Sequence, residues 1–385
     1  MIVNHISRIV KNYKEDNLHR EFTELVKVPH KPEIVSINNQ EVINFCSNDY
    51  LRLSVNENIL QTMLEGVKQY GVGSGGTRNI SGTTKAHVEL EKKIATLHKM
   101  QSALVFSSAY NANVGALSAL GKNIPNIAFF SDEQNHASII HGINFSKAQK
   151  FIYKHSDFNH LEKLLKENTN FLPVIVCESI YSMSGTKTDL IKLSKIAQKY
   201  KALTYVDEVH AVGLYANASG IAEEQGAYVD IINGTFGKAF GCVGGYIAST
   251  AEICEFVKSF ASPFIFSTSL PPALCLACIA AIEEAKNPSL QKKFWGNVAY
   301  LKHTLQKYSI NIFKTESHII SVPIPTVHKV KAVAKQLLNN YQFYVQPIFY
   351  PTVPIGEEML RLTVSPHHTN QQIENLAKAL VLLLK

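Results

Sequence analysis

Lys238 stands in Gly234-Thr235-Phe236-Gly237-Lys238-Ala239-Phe240-Gly241, directly after Tyr228-Val-Asp-Ile-Ile, an apolar run that reads as a buried strand. A long charged side chain next to Gly237 and Ala239 is badly placed for packing and well placed for covalent chemistry. A lysine amine becomes a nucleophile when partial burial and nearby positive charge lower its pKa, and its commonest use is to form an imine with a carbonyl. Asp207 lies in a second strand-to-loop transition, Thr204-Tyr-Val-Asp-Glu-Val-His210. Alone, the lysine is a surface residue and the aspartate a helix cap. Together they supply the two groups that pyridoxal phosphate requires: an imine-forming amine, and a carboxylate to pair with its pyridinium nitrogen.

The elements that must position these residues alternate along the middle of the chain. Ile127-Ala-Phe-Phe-Ser131, Pro173-Val-Ile-Val-Cys177, Ala202-Leu-Thr-Tyr-Val206, Asp230-Ile-Ile232 and Gly245-Tyr-Ile-Ala248 read as buried strands. Helical patterns such as Leu161–Lys166 and Leu190–Ala197 lie between them. Strands that are apolar throughout and separated by helices predict an α/β fold with a largely parallel sheet covered on both faces. Ligands in such sheets bind beyond the carboxyl ends of the strands. His136, Ser182, Asp207, His210 and Lys238 all follow predicted strands, so the topology gathers them at one edge. From about Glu284 the chain turns polar and helical, then gives Ser317-His-Ile-Ile-Ser-Val-Pro, a helix over Val330–Tyr341, Tyr344-Val-Gln-Pro, Leu360-Arg-Leu-Thr and a final helix. This reads as a smaller α+β domain. The expected division is an N-terminal helical arm at 1–48, a large cofactor-binding domain at 49–286 and a small C-terminal domain at 287–385.

Composition narrows the class. The chain has 385 residues, 46% hydrophobic and 18% charged, as in an ordinary globular enzyme. The net charge of +7 is spread without a long basic run, which argues against nucleic acid and suits a polyanionic substrate such as a coenzyme A thioester. Six scattered cysteines fit reduced, buried thiols of a cytoplasmic protein. Cys275-Leu-Ala-Cys278 has no second pair to complete a zinc site and reads as core packing. The N-terminal segment is an amphipathic helix pattern without a signal-peptide core, and no apolar run is long enough to span a membrane. Gly71-Val-Gly73-Ser-Gly-Gly76 matches a dinucleotide fingerprint by letter, but the helical pattern Ile59–Tyr70 precedes it where a strand is required. A nicotinamide oxidoreductase and a non-catalytic pyridoxal-binding module are the rival classes. His136 and His210 read alternatively as packed histidines, or as a metal pair with Asp207 that lacks a further ligand at workable spacing, so no metal is expected.

Several segments carry a resemblance. They are Cys46-Ser-Asn-Asp-Tyr-Leu51, Gly75-Gly-Thr-Arg-Asn-Ile-Ser-Gly-Thr83, Val105-Phe-Ser-Ser-Ala-Tyr110, Phe130-Ser-Asp-Glu-Gln-Asn-His-Ala-Ser138, Glu178-Ser-Ile-Tyr-Ser-Met183, Asp207-Glu-Val-His-Ala-Val-Gly-Leu-Tyr215, Phe264-Ile-Phe-Ser-Thr-Ser-Leu-Pro-Pro272 and Tyr344-Val-Gln-Pro-Ile-Phe-Tyr-Pro-Thr-Val-Pro354. In these the chain resembles the α-oxoamine synthases, fold-type I pyridoxal-phosphate enzymes that condense an amino acid with an acyl-CoA. The resemblance runs in order over nearly the whole chain. It implies a seven-stranded, mostly parallel sheet and a homodimer with shared active sites. It also implies that Lys238 holds the cofactor and later shuttles the glycine α-proton, that Asp207 keeps the ring nitrogen protonated, and that His136 stacks on the ring. His210 and Ser182 would bond the phenolic oxygen. Ser108, Ala109, Tyr110 and Thr235 would hold the phosphate, with Ser267 or Thr268 reaching it from the facing subunit.

Substrate groups follow from the same resemblance. Arg361, with Asn48 beside it, would clamp the amino-acid carboxylate, and Ser131 and Lys150 would meet substrate and coenzyme A. A succinyl donor ends in a carboxylate, so its pocket needs a cation and hydroxyl donors that an aliphatic tail would leave unpaired. The branch of the family that makes 5-aminolevulinate supplies them at positions matched here by Arg20, Thr77, Asn79, Ile80 and Thr352. Glycine and succinyl-CoA are therefore the expected substrates. Other acyl donors, or another amino acid, remain the alternative. Four departures from the pattern bear on that alternative: Arg52 where glycine is usual, Ser184 where aspartate is usual, Ile355 where arginine is usual, and a glycine-poor Tyr215-Ala-Asn-Ala-Ser-Gly220.

Overall fold

A computed structural model describes residues 1–28 and 30–384. The chain forms two compact units, one of residues 49–182 and 186–291, the other of residues 1–48, 183–185 and 292–385.

Seven strands build the sheet of the first unit: β1 Ser102–Phe106, β2 Ile127–Asp132, β3 Gln149–Tyr153, β4 Leu172–Glu178, β5 Leu203–Asp207, β6 Ile231–Thr235 and β7 Gly245–Ser249. Their order is β1-β7-β6-β5-β4-β2-β3, and β7 alone runs antiparallel, against both neighbours. This is the mostly parallel α/β sheet expected from the alternation of elements. β2, β6 and β7 are buried at every position, which is why Ile127-Ala-Phe-Phe130, Ile231-Ile232 and Tyr246-Ile-Ala248 are apolar in succession rather than alternating. Helix Ala109–Asn123 covers them, packing Ala112, Ala116, Leu117 and Leu120 with Phe106, Phe129, Val176, Tyr205 and Ile231. Burying each aliphatic side chain in such a cluster contributes roughly 1.5–3 kcal/mol.

Two strands lacked a strand reading in the sequence. β3 is an edge whose first two residues, Gln149 and Lys150, face solvent, so it carries no continuous apolar run. β1 is largely buried but opens on Ser102 immediately after a helix and a turn, with no turn residue of the usual kind to announce it.

In the second unit, Val26–Lys27, Ile34–Ile37 and Gln40–Asn44 form a sheet with Phe343–Tyr344, and Ile320–Pro323, Met359–Leu362 and Pro347–Ile348 form another. The segment 1–48 thus shares a unit with 292–385. Its helix Ile2–Glu15 buries no residue. Helices Val327–Tyr341 and Asn370–Leu384, and most of helix Pro288–Lys307, belong to this unit as well. No helix among the described residues is long and apolar enough to cross a membrane.

Candidate active site

Lys238 lies in a closed hairpin between β6 and β7. Phe236 N–H donates to Gly244 O (3.0 Å), Cys242 N–H to Phe236 O (2.8 Å) and Gly241 N–H to Lys238 O (2.9 Å). Gly241 has φ +67°, and a Cβ there would meet Ser54 N at 2.2 Å, so both conformation and space demand glycine. The half-buried Lys238 amine sits 2.7 Å from His210 Nε2, and His210 Nδ1 lies 2.8 Å from the Tyr50 hydroxyl. Tyr50 and His210 are buried, so two of the three groups in this chain are shielded from bulk water.

Asp207 closes β5, with Asn233 of β6 as its register partner. The carboxylate is 2% exposed. Oδ2 accepts from Asn113 Nδ2 (2.7 Å) and Asn233 Nδ2 (3.1 Å), and Oδ1 accepts from Val209 N–H (3.0 Å). Three donors thus fix the carboxylate in place.

His136 caps helix Ala137–Ser146. Its Nδ1 accepts from Ser138 N–H (3.2 Å) and lies 2.8 Å from Ser138 Oγ. Accepting that amide leaves the ring proton on Nε2. Burial lowers the pKa of this imidazole, helped by the charges of Lys238 and His141 and opposed by Asp207. His136 is therefore a flat, neutral ring. Its backbone N–H donates to Glu178 Oε1 (2.6 Å), whose carboxyl is pushed well up, first by burial and then by the neighbouring Asp207.

The strand-to-helix turn at Ser108 makes an anion seat. Ser108 Oγ accepts from Asn111 N–H (3.1 Å), and the amides of Ala109 and Tyr110 head the helix without acceptors inside it. Gly245 lies directly opposite: a Cβ there would strike Ala109 N at 2.0 Å. A helix N-terminus with bare backbone against it fits a phosphate. Thr235 Oγ1 donates to Gly244 O (3.1 Å) and accepts from Gly237 N–H (3.0 Å), so its hydroxyl reaches a ligand only by giving up Gly244. The half-buried Ser182 follows the β4 edge. Half-buried amine, fixed carboxylate, neutral ring and anion seat together fit a phosphorylated aldehyde with a cationic ring.

Several expected substrate residues lie elsewhere in this unit. Thr77 pairs with Thr268 in an antiparallel bridge, and Thr77 Oγ1 donates to Asn79 Oδ1 (2.5 Å). Asn79, Ile80 and Thr268 are exposed there, with Ser267 half-buried. Between them Arg78 turns inward, donating to both oxygens of Glu91 (2.7 and 3.0 Å), and so anchors the loop. Helix Glu57–Tyr70, not a strand, precedes Gly71, so this loop lacks the dinucleotide context. Lys150 Nζ donates to Asn144 Oδ1 (2.5 Å) on the edge strand. Ser131, expected at the substrate, is 1% exposed with its Oγ accepting from Asn135 Nδ2 (2.8 Å). It braces the turn before His136 rather than offering a surface donor.

The second unit holds two further pairs. Arg361, buried in strand Met359–Leu362, donates from Nη1 to Asn48 Oδ1 (2.9 Å). Arg20 Nη2 donates to Thr352 Oγ1 (3.0 Å), joining a cation and a hydroxyl far apart in sequence. Ile355 is exposed, next to Gly356 with φ +93°. Arg52, in the first unit, has φ +58° and ψ +31°, a left-handed conformation that accounts for glycine being usual at that place. Ala216, Asn217 and Ala218 also have positive φ, which accounts for the glycines usual in that loop. Among the described residues, no three His, Cys, Asp or Glu side chains converge on a metal position.

The sequence reading missed Tyr50, Asn113, Ser138, Glu178 and Tyr205. Tyr50, Ser138 and Glu178 sit inside the segments that carry the resemblance, whereas Asn113 and Tyr205 have no signal beyond being polar in an apolar helix and strand.

The profile of the aminotransferase class I and II family matches residues 40–380. The 5-aminolevulinate synthase of Rickettsia felis is 42% identical over 380 residues, covering 97% of this chain and 92% of that protein. The erythroid-specific, mitochondrial 5-aminolevulinate synthase of Mus musculus is 45% identical over 354 residues, 90% of this chain, and the chain spans 60% of that protein's length. A solved structure of SPT with PLP superposes with a TM-score of 0.92 at 25% identity, covering 100% of this chain and 98% of that one.

Proposed function

Because the chain belongs to the aminotransferase class I and II family, and within it to the α-oxoamine synthases, we propose that it condenses glycine with succinyl-CoA to give 5-aminolevulinate, coenzyme A and carbon dioxide. The observation that carries this reading is the half-buried Lys238 amine at 2.7 Å from His210, in the same strand-end cluster as the triply bonded Asp207 carboxylate. Pyridoxal phosphate is the cofactor, supplying an aldehyde for an amine to join and a cationic ring that takes up an electron pair from the amino-acid α-carbon.

The residues divide the remaining work. Lys238 would hold the cofactor through its amine, and the same amine, when free, would take the glycine α-proton. His210 can pass that proton without moving heavy atoms. With Nε2 accepting from the lysine, Nδ1–H donates to Tyr50, and the opposite tautomer reverses both bonds. The buried Asp207 carboxylate would pair with the ring nitrogen and keep its proton there. His136 would stack on the ring as a neutral imidazole, and His210 with Ser182 would bond the phenolic oxygen. Ser108, Ala109, Tyr110 and Thr235 receive the phosphate. Arg361 with Asn48 grips the glycine carboxylate, for which a guanidinium fork is matched.

For the acyl donor, the Arg20–Thr352 pair supports succinyl-CoA: a fixed cation with a hydroxyl beside it matches a terminal carboxylate and penalises an aliphatic tail. Thr77, Asn79 and Ile80 line the same substrate, and Lys150 meets coenzyme A. The enzyme works as a homodimer in which Ser267 or Thr268 completes the facing subunit's phosphate site. None of its six cysteines forms a disulfide, the state that a reducing compartment maintains, which supports a cytoplasmic location.

The test is incubation of the protein with pyridoxal phosphate, glycine and a panel of acyl-CoAs, following coenzyme A release and identifying the aminoketone. Succinyl-CoA should lead the panel and Lys238→Ala should abolish turnover. A medium- or long-chain donor in first place, or alanine or serine above glycine, refutes the substrate assignment. Steady-state activity in Lys238→Ala refutes the role of the lysine.

A further inference from the structure

Asn113 joins the two groups assigned to the cofactor ring. It is 1% exposed on helix Ala109–Asn123, one turn after the amides at the anion seat. Its Nδ2 donates both to Asp207 Oδ2 (2.7 Å) and to Ser138 Oγ (2.9 Å). The Ser138 hydroxyl in turn reaches His136 Nδ1 (2.8 Å). Asn113 Oδ1 accepts from the Tyr205 hydroxyl (2.8 Å), itself fully buried in β5. The direction of each bond is fixed by its partners. Asp207 can only accept, so the amide nitrogen must face it, and the amide oxygen is left for Tyr205. Ser138 accepts from Asn113 and spends its single proton on His136. No donor or acceptor in this chain can be inverted without leaving a buried group unpaired, which costs roughly 1–3 kcal/mol.

We propose that Asn113 is a positioning residue whose side-chain amide, oriented by Tyr205, fixes the Asp207 carboxylate and the His136 imidazole together against the cofactor ring. This rests on the reading above in which those two residues meet the ring. The same helix carries the anion seat, so phosphate, ring nitrogen and ring face are referred to one rigid element. Removing the amide takes away one of the two side-chain donors to Asp207 Oδ2 and frees Ser138 to turn from His136. The carboxylate would then be held less firmly toward the ring nitrogen, and the nitrogen of the lysine linkage would become more basic.

The test compares the native enzyme with Asn113→Ala and Tyr205→Phe, each stripped of cofactor and then titrated with pyridoxal phosphate. The dissociation constant and the pH midpoint of the visible absorption band of the reloaded enzyme are read alongside the melting temperature of the cofactor-free protein. Asn113→Ala should bind at least about tenfold more weakly, a change of about 1.4 kcal/mol, and its band should titrate at higher pH. Tyr205→Phe should move both quantities in the same direction by a smaller factor. A lower melting temperature with unchanged affinity and band midpoint in both variants would mean a purely structural role and overturns the proposal. Should Asn113→Ala not fold, Tyr205→Phe decides alone: a shifted midpoint supports the proposal and an unshifted one overturns it. If the native protein itself develops no visible band with pyridoxal phosphate, the functional reading falls and the inference falls with it. A normal native band beside unaltered variants sinks the inference only.

Discussion

Acid should weaken the large unit through one buried histidine. His98, at the end of helix Lys85–Leu97, is 8% exposed, with Nε2 2.9 Å from the Tyr246 hydroxyl. Burial lowers its pKa from 6.5 to about 3. Between those values the unfolded chain binds a proton at this position and the folded chain does not, so stability rises with pH across that window and falls on acidification. At pH 5 the unfolded histidine is about 1.5 units below its own pKa, which at 1.36 kcal/mol per unit removes about 2 kcal/mol relative to pH 7.5. His98→Gln places beside the Tyr246 hydroxyl an amide that can donate or accept and has no proton to gain. Reversible urea unfolding of the cofactor-free protein at pH 7.5 and pH 5 would show this. The native protein should lose about 2 kcal/mol more than His98→Gln over that interval, because every other titrating group is common to both. Equal losses in the two proteins would refute the reasoning, as would direct detection of His98 titrating near pH 6.5.

Three further outcomes follow from the geometry. Gly234→Ala puts a methyl group 2.1 Å from Tyr246 Cζ, inside the sheet, and should destabilise the protein by about 1–3 kcal/mol in thermal or urea unfolding. Tyr246→Phe should not fully rescue it, since removing the hydroxyl (2.3 Å) still leaves two ring carbons at 2.1 and 2.5 Å. Arg361→Lys retains charge but loses the guanidinium fork, and should raise KM for glycine roughly 10- to 100-fold while the cofactor band is unchanged. Arg20→Leu should lower kcat/KM for succinyl-CoA by about 2 kcal/mol, roughly 30-fold, and leave butyryl-CoA unharmed; equal losses with both donors would disprove the carboxylate role.

The parts of this molecule legible in its sequence share a physical cause. Central strands such as β2 and β4 are covered on both faces over most of their length and so declare themselves as apolar runs. The edge strand β3 meets water on one side and does not. Among site residues, Lys238 stood out because a charge after a buried strand has no packing explanation. Asn113 and Tyr205 stayed hidden because a buried amide or phenol looks ordinary until its partners are known, and those partners lie 94 and 92 positions away in the chain. Conformation was hidden too: nothing in the letters around Arg52 announces its left-handed backbone.

The hairpin that carries Lys238 has a mechanical consequence. Its peptide ribbon is stitched shut on both sides of the lysine and welded to the sheet by the lone antiparallel strand, so the α-carbon is an immobile pivot. All travel of the amine between one bonding partner and the next must come from rotation about the side chain's own single bonds, a sub-microsecond process. Handing a carbonyl carbon from the lysine to another amine therefore asks for no rearrangement of the backbone.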